Sequence, residues 1–199
     1  MENVLEIVRN DQYETSQWSG GSTTEILIYP KASKYSERNF KYRISSAKVQ
    51  VEESSFTSLP GVSRHLMLTT GNMTLEHENK YKITLKPFEQ DQFLGDWTTK
   101  SFGKATDFNL MLREGCTGNL NLLTLKAGEK LDLTLEANAD DIFYIFDGCL
   151  ELAFDSHSLM LNQKDLFHKM DLFYDKEYKV ALINKSDKDI NIIKTHINY

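Results

Sequence analysis

Apolar and polar residues alternate with a period of two in several segments of the chain. Residues 47–52 alternate Ala, Val and Val with Lys, Gln and Glu, and the segments 81–86 and 131–136 show the same pattern. Successive side chains of a β-strand point to opposite faces, so this alternation predicts strands with one buried face. Compact turn sequences, such as the Asp-Gly at 147–148, separate the predicted strands at spacings typical of antiparallel hairpins.

Helical patterning is weak along the chain. No segment keeps a 3.6-residue apolar period for three turns, so the sequence predicts an all-β fold. One stretch, 165–175, places its Leu, Phe and Met residues at spacings that fit a short helix or a bent strand equally well.

An internal repeat relates two segments of the chain. Residues 66–77 (LMLTTGNMTLEH) and 143–154 (FYIFDGCLELAF) both contain an apolar strand, a glycine turn at Gly71 or Gly148, and a second strand. Each segment is predicted to be a hairpin followed by further strands. Two copies of one sandwich or barrel unit would bury these strands without leaving exposed edges.

The second copy resembles half of a cupin barrel. The chain is therefore predicted to contain two such barrel or sandwich halves, packed as one compact unit. We expect the N-terminal half over about 15–112, the C-terminal half over about 113–199, and the crossover at 113–118.

Metal-binding cupins usually carry two histidines one residue apart on a strand, because residues i and i+2 point into the same barrel. No such pair occurs among the five histidines of this chain, so we expect no metal centre and no other cofactor. The two histidines that flank the first predicted hairpin could meet across it, but lone strand histidines more often belong to the surface or the core. The five are His65, His77, His157, His168 and His196.

Length and charge bear on the class of function. The 199 residues carry a net charge of -6, from 23 basic and 29 acidic side chains, and contain no basic cluster. Phosphate contacts supply most nucleic-acid affinity, so nucleic-acid binding is not expected. The apolar runs are far shorter than the roughly 20 residues of a membrane span. Two isolated cysteines, Cys116 and Cys149, indicate neither a disulfide framework nor a zinc site.

Residues 1–18 contain several acidic side chains and lack the basic and apolar segments of a secretion signal. We therefore expect a cytoplasmic protein without membrane contact.

Two arginines are candidates for an internal ligand site. Arg43 shares one face of a predicted strand with Ser45 and Ala47, and this face is predicted to point inward. A buried guanidinium requires a carboxylate partner, which either the protein or a bound ligand could supply. Arg64 follows a Pro-Gly turn at the mouth of the predicted barrel, and the same two alternatives apply to it.

Acidic and amide side chains that could pair with these arginines lie next to aromatic residues. Asp96 follows Phe93 closely, and Asp107 and Asn109 flank Phe108.

The segment 18–25 (WSGGSTTE) is rich in small residues and precedes a predicted strand. It reads either as a flexible loop or as backbone that approaches a ligand, with Trp18 as a wall and Glu25 as an acceptor. A phosphate loop is not indicated, because no helix follows.

Five segments carry a family resemblance, and they occur in order over nearly the whole chain: 18–25 (WSGGSTTE), 43–47 (RISSA), 56–64 (FTSLPGVSR), 93–96 (FLGD) and 107–111 (DFNLM). In this set the chain resembles the HutD/Ves family. The resemblance implies a bicupin without metal-binding histidines and an association with histidine utilisation. It also implies binding of a small acidic metabolite, of a urocanate or formylglutamate type, rather than catalysis.

The resemblance further implies that the shared positions surround one pocket. These positions are Trp18, Gly20, Gly21, Thr23, Glu25, Arg43, Ser45, Arg64, Phe93, Asp96, Asp107 and Asn109. The chain departs from the family pattern at one place. Many members have a longer loop with an arginine directly before the glutamate, whereas here Thr24 precedes Glu25, so we expect a pocket of different shape.

The first functional hypothesis is therefore a metal-free binding protein with a regulatory role. Arg43 and Arg64 would hold the carboxylate of the metabolite, Trp18 and Phe93 would form an apolar wall, and neighbouring hydroxyl and amide groups would add hydrogen bonds.

Two other classes remain open from the sequence. A metal-independent isomerase or hydrolase could use Glu25, Asp96 or Asp107 as a general base. An interaction scaffold or homodimer is the third hypothesis, since 11% aromatic residues are enough for an interface.

Overall fold

Antiparallel strands make up most of the structure. The computed structural model describes residues 5–113, 115–155, 157–170 and 177–198. Its strands are β1 (Leu5–Val8), β2 (Glu14–Trp18), β3 (Gly21–Tyr29), β4 (Tyr42–Val49), β5 (Glu53–Ser55), β6 (Val62–Gly71), β7 (Met73–His77), β8 (Tyr81–Leu85), β9 (Gln90–Leu94), β10 (Thr99–Phe102), β11 (Ala105–Arg113), β12 (Thr117–Leu125), β13 (Lys130–Leu135), β14 (Ala139–Ile145), β15 (Cys149–Phe154), β16 (His157–Asn162), β17 (Leu166–Lys169), β18 (Tyr178–Asn184) and β19 (Ile190–Asn198). Short 3-10 turns occupy Asn10–Gln12 and Tyr35–Glu37. The predicted all-β class is confirmed, and no helix within the described residues has the length and apolar character needed to span a bilayer.

Residues 13–116 form the first of two compact units. The unit contains a six-stranded sheet in the order β2-β3-β4-β11-β6-β9 and a four-stranded sheet in the order β5-β10-β7-β8. Apolar side chains from both sheets meet in one core, which includes Leu66 and Val49 from the larger sheet and Leu75 and Leu85 from the smaller one. Each strand turns every second side chain toward this core. The period-two pattern of apolar residues in the sequence therefore produces the core between the two sheets.

Residues 1–12 and 117–199 form the second unit. Its sheets have the orders β1-β17-β14-β19-β12 and β13-β18-β15-β16, and they share a core that includes Phe143, Leu152 and Leu182. The first strand of the chain, β1, lies in this unit because it pairs with β17. The first unit ends at residue 116, and the second resumes at residue 117.

Most of the strands predicted from alternation are found. The segments 81–86 and 131–136 correspond to β8 and β13, and Ala47 with Val49 ends β4. In the ambiguous stretch 165–175, Leu166–Lys169 forms β17, whereas 171–175 lies outside the described residues.

The two repeated segments are not hairpins, and that prediction was wrong. β6 and β7 follow one another through Gly71 but belong to different sheets, and β14 and β15 are separated in the same way at Gly148. The apolar residues on both sides of each turn are buried, and two sheets that share one core bury them more completely than a two-stranded ribbon would. In both copies of the repeat, the chain therefore passes from one sheet to the other at the glycine.

The crossing at Gly71 predicts a test of the fold. Gly71 has a φ of 82°, and a Cβ added there would lie 2.6 Å from the carbonyl oxygen of Lys104 and 3.0 Å from the Cα of Ala105. Gly61 has a similar φ of 74°, but nothing lies within 4 Å of its added Cβ. We expect Gly71→Ala to lower the free energy of unfolding by about 1–3 kcal/mol more than Gly61→Ala. Both substitutions place a Cβ on a residue with positive φ, but only the Cβ at residue 71 would collide with neighbouring backbone atoms. Urea denaturation measures the difference, and equal losses would contradict the crowding at Gly71.

Candidate ligand-binding cavity

The first unit contains a cavity of about 330 Å³ on the inward face of its larger sheet. Its lining combines apolar side chains with polar and charged ones, several of which are buried. The residues that line it are Ser16, Trp18, Thr23, Tyr35, Arg43, Ser45, Ala47, Val49, Ser54, Ser55, Phe56, Thr57, Arg64, Asp107, Asn109 and Met111.

Three neighbouring strands position the polar groups. β11 lies between β4 and β6, and the register places Met111 opposite both Arg43 and Arg64. Asn109 lies opposite Ser45 in the same way. Side chains directly opposite one another on antiparallel strands have Cβ atoms about 4.5–5.5 Å apart, so alternation within each strand and register between strands bring these groups together.

Arg43 takes its partner from the protein. Its Nε donates a 2.6 Å hydrogen bond to Oε2 of Glu25, and its Nη1 donates to Oγ of Ser45 at 2.9 Å. The guanidinium carbon also lies 4.4 Å from the ring centroid of Tyr35. Of the two alternatives that the sequence left open for Arg43, the structure contains the internal ion pair with Glu25.

Arg64 is held differently. Its side chain is buried, with the guanidinium carbon 4.6 Å from the ring centroid of Phe56 and 5.3 Å from that of Phe93. The Nε of Arg64 is buried and has no hydrogen-bond partner. Burial lowers the pKa of Arg64 to about 10, so the group is still a cation at neutral pH.

Asp107 and Asn109 supply unused acceptors on the neighbouring strand. Both side chains are buried, and Oδ1 of each has no hydrogen-bond partner. Burial raises the pKa of Asp107 to about 7, while the charge of Arg64 and the backbone N–H of Ala47 oppose that rise. The cavity therefore presents one unpaired cationic donor beside two unpaired acceptors, one of which changes its charge near neutral pH.

The segment 18–25 is a paired hairpin and not a flexible loop. β2 and β3 pair through it, with Trp18 opposite Gly21, and Trp18 and Thr23 line the cavity. Gly20 and Gly21 do not line the cavity. Their lack of a side chain instead leaves room for the ring of Trp18 and for the backbone of the neighbouring strand. A Cβ at Gly20 would lie 2.2 Å from the indole ring of Trp18, and one at Gly21 would lie 1.9 Å from the carbonyl oxygen of Lys48.

Seven of the twelve predicted positions line the cavity, namely Trp18, Thr23, Arg43, Ser45, Arg64, Asp107 and Asn109. Glu25 and Phe93 lie behind this lining as the partner of Arg43 and a ring neighbour of Arg64. Asp96 is exposed and lines a separate depression with Arg113 and Cys116, so its predicted place in the pocket was wrong. Asp96 lies two residues beyond the end of β9, where strand alternation no longer sets the direction of its side chain.

Two aromatic contacts of the site were missed by sequence reasoning. Phe56 lies in the same family segment as Arg64, residues 56–64, and this was the one indication in the sequence that it belongs to the site. Tyr35 lies in the connection between β3 and β4 and has no periodic pattern around it. Only the folded chain brings it to Arg43.

The histidines do not assemble a metal site within the described residues. Among these residues, no three His, Cys, Asp or Glu side chains are grouped so that they could hold a metal ion. His65 and His77 do not meet across a hairpin, since they lie on β6 and β7 in different sheets. The Nε2 of His77 instead lies 2.8 Å from Oδ2 of Asp91.

Paired antiparallel sheets around an inward-facing cavity are typical of double-sheet jelly rolls, the fold class that includes the cupins. The HutD family model matches residues 10–191, and the chain belongs to this family.

Solved structures support the same fold. A conserved protein of unknown function from Pseudomonas aeruginosa PAO1 superposes with a TM-score of 0.84 at 20% identity, covering 98% of this chain and 99% of that one. HutD from Pseudomonas fluorescens SBW25 superposes with a TM-score of 0.72 at 20% identity, covering 98% of each chain. The oxalate decarboxylase of Lactobacillus farciminis, solved as a formate complex, has a TM-score of 0.73 at 6% identity and covers 96% of this chain and 86% of that one.

The raised pKa of Asp107 predicts a pH-dependent stability. Because its pKa is about 7 in the folded protein and 3.8 in a model compound, the folded state binds the proton more tightly than the unfolded state. The stabilisation is fully present below about pH 4 and is lost as the pH rises through about 7. We expect the free energy of unfolding of the wild-type protein to fall over this range relative to that of Asp107→Asn, measured by urea denaturation. The exposed Asp96→Asn variant is the control and should retain the wild-type slope, whereas an unchanged slope in Asp107→Asn would contradict the assignment.

Proposed function

We propose that this HutD-family protein binds a small carboxylate metabolite in the cavity of its first unit, without a metal, in a regulatory role linked to histidine utilisation. The proposal combines the family membership with the unpaired groups of the cavity.

One observation carries the proposal, which is the unpartnered Nε of the buried Arg64. A buried guanidinium donor without an acceptor is costly, and a carboxylate is the partner that offers both charge and geometry. Arg43 is less suited to this role, because Glu25 already accepts from its Nε. The carboxylate of the ligand is thus assigned to Arg64, and Arg43 supports the wall beside it.

The unpaired acceptors narrow the ligand class. Oδ1 of Asn109 and Oδ1 of Asp107 require donors, so a carboxylate that also carries an N–H or O–H group satisfies both sides of the cavity. Urocanate and N-formylglutamate, the compounds that the family resemblance suggests, have this combination.

A structural neighbour of the same fold was solved with a carboxylate. The Lactobacillus farciminis oxalate decarboxylase was solved as a formate complex, so a cupin-type protein accommodates a small carboxylate. The cavity of about 330 Å³ has room for a metabolite of several carbon atoms.

Titration calorimetry with urocanate and with N-formylglutamate tests the proposal. We expect saturable binding of at least one compound and an affinity about tenfold to a hundredfold lower in Arg64→Met, which matches the loss of one charge-assisted hydrogen bond. Arg38→Met is the matched control, since Arg38 is an exposed arginine of the same unit and lies outside the cavity. No binding of either compound, or equal binding by Arg64→Met with a native melting curve, would contradict the assignment.

A second function is favoured by the pKa of Asp107. A carboxyl group with a pKa of about 7 inside a cavity suits general acid and base chemistry at neutral pH. A metal-independent isomerase or hydrolase would therefore turn over a bound carboxylate after chelator treatment and would lose this activity in Asp107→Asn. Binding without turnover would favour the regulatory function.

A further inference from the structure

The second unit contains its own polar cavity, and none of the twelve predicted site residues lines it. It has a volume of about 200 Å³ and lies among strands β12, β13, β14 and β19. Its lining residues are Asn119, Asn121, Thr134, Glu136, Asp141, Lys194 and His196.

This cavity occupies the same topological position as the cavity of the first unit. β19 lies between β12 and β14, as β11 lies between β4 and β6. Asp141 lies two residues before its repeated segment and opposite His196. Arg64 lies two residues before the other copy and opposite Met111. The repeat thus places an aspartate in one unit where the other unit has an arginine.

Asp141 is buried and only partly satisfied. Its side chain is 1% exposed, and its Oδ1 accepts a 3.0 Å hydrogen bond from Nδ1 of His196 and contacts Nζ of Lys194 at 3.2 Å. Its Oδ2 is buried and has no hydrogen-bond partner. A buried carboxylate oxygen without a donor costs free energy, so a ligand that brings a donor into the cavity would be stabilised.

The charges around the cavity favour a cationic donor. Asp141 and Glu136 contribute two negative charges and Lys194 one positive charge, while Nε2 of His196 lies 3.9 Å from Oε2 of Glu136. A donor that carries a positive charge complements this net negative charge.

One lysine and two asparagine side chains of the lining are at least partly exposed to solvent. Lys194 is partly exposed and has three donor hydrogens, of which Asp141 uses one. Asn121 donates from Nδ2 to Oδ1 of Asn119 at 2.6 Å, and both are exposed. These groups suit a carboxylate that lies near the surface, above the buried aspartate.

We propose that the cavity of the second unit binds an α-amino acid. The ammonium group donates to Oδ2 of Asp141, and the carboxylate is held by Lys194 with the exposed amide groups. The two units then present sites of opposite character, one for a buried carboxylate and one for a buried ammonium group.

Two-dimensional NMR of the His196 ring, in full-length protein, tests the proposal. Each common L-α-amino acid is titrated alone and again as its N-acetyl derivative, which keeps the carboxylate but has no ammonium group. We expect at least one free amino acid to shift the His196 signals in a saturable way, and its N-acetyl form to bind at least about tenfold more weakly. The absence of any saturable shift, or equal shifts from both forms, would overturn the proposal.

Two variants separate ligand binding from folding. Asp141→Asn removes the acceptor charge, and Asn121→Phe fills the cavity from an exposed position without changing a buried charge. Their matched controls are Asp132→Asn and Thr124→Phe, both at exposed positions on β13 and β12 outside the cavity. Binding should fall at least about tenfold in both test variants and be unchanged in both controls. If Asp141→Asn does not fold, Asn121→Phe decides, and retained binding in a folded test variant would overturn the proposal.

Discussion

A guanidinium that is shielded from water must recover its hydrogen bonds and its counter-charge from the protein or from a ligand. Arg64 recovers only part of them. The rings of Phe56 and Phe93 cover it, and Asp107 lies near enough for their charges to interact, yet its Nε is unpaired. Because this pairing is incomplete, the first cavity contains a buried cation with an unused hydrogen-bond donor.

The contrast with Arg43 shows how one sheet face produces two kinds of arginine. Both lie opposite Met111, on the two strands that flank β11, so alternation and register turn both inward. Glu25, on the adjacent strand β3, reaches Arg43 and neutralises it. Asp107 is more deeply buried than Glu25, and burial raises its pKa to about 7, which weakens it as a counter-ion for Arg64. The structure therefore pairs Arg43 with a carboxylate of the protein and leaves the Nε of Arg64 without a hydrogen-bond partner.

Local patterns in the sequence predicted the strands and the inward direction of Arg43, because both depend on the period-two geometry of a single strand. The same patterns predicted hairpins at Gly71 and Gly148, where the chain changes sheets instead. Which sheet receives a strand after a tight turn depends on the core that both sheets share, and no local pattern encodes that core.

The residues of the candidate site were predicted only in part from the sequence. The family resemblance grouped residues of β4, β6 and β11 that line the cavity, but it also included Asp96, which lies beyond the end of β9 in a separate depression. The choice of Glu25 as the partner of Arg43, and the contact of Tyr35 with that arginine, arise from tertiary packing. The charge reversal between Arg64 and Asp141 became visible only when the register of both units was known.

The most direct measurement is the ¹⁵N–¹H resonance of the Arg64 Nε group, followed by NMR as urocanate or N-formylglutamate is added. A carboxylate that accepts from this group should move its proton signal downfield and protect it from exchange with water, while the Nε signal of Arg43 changes little. A saturable response at Arg43 with no change at Arg64 would contradict the assignment of Arg64 as the anion-binding group.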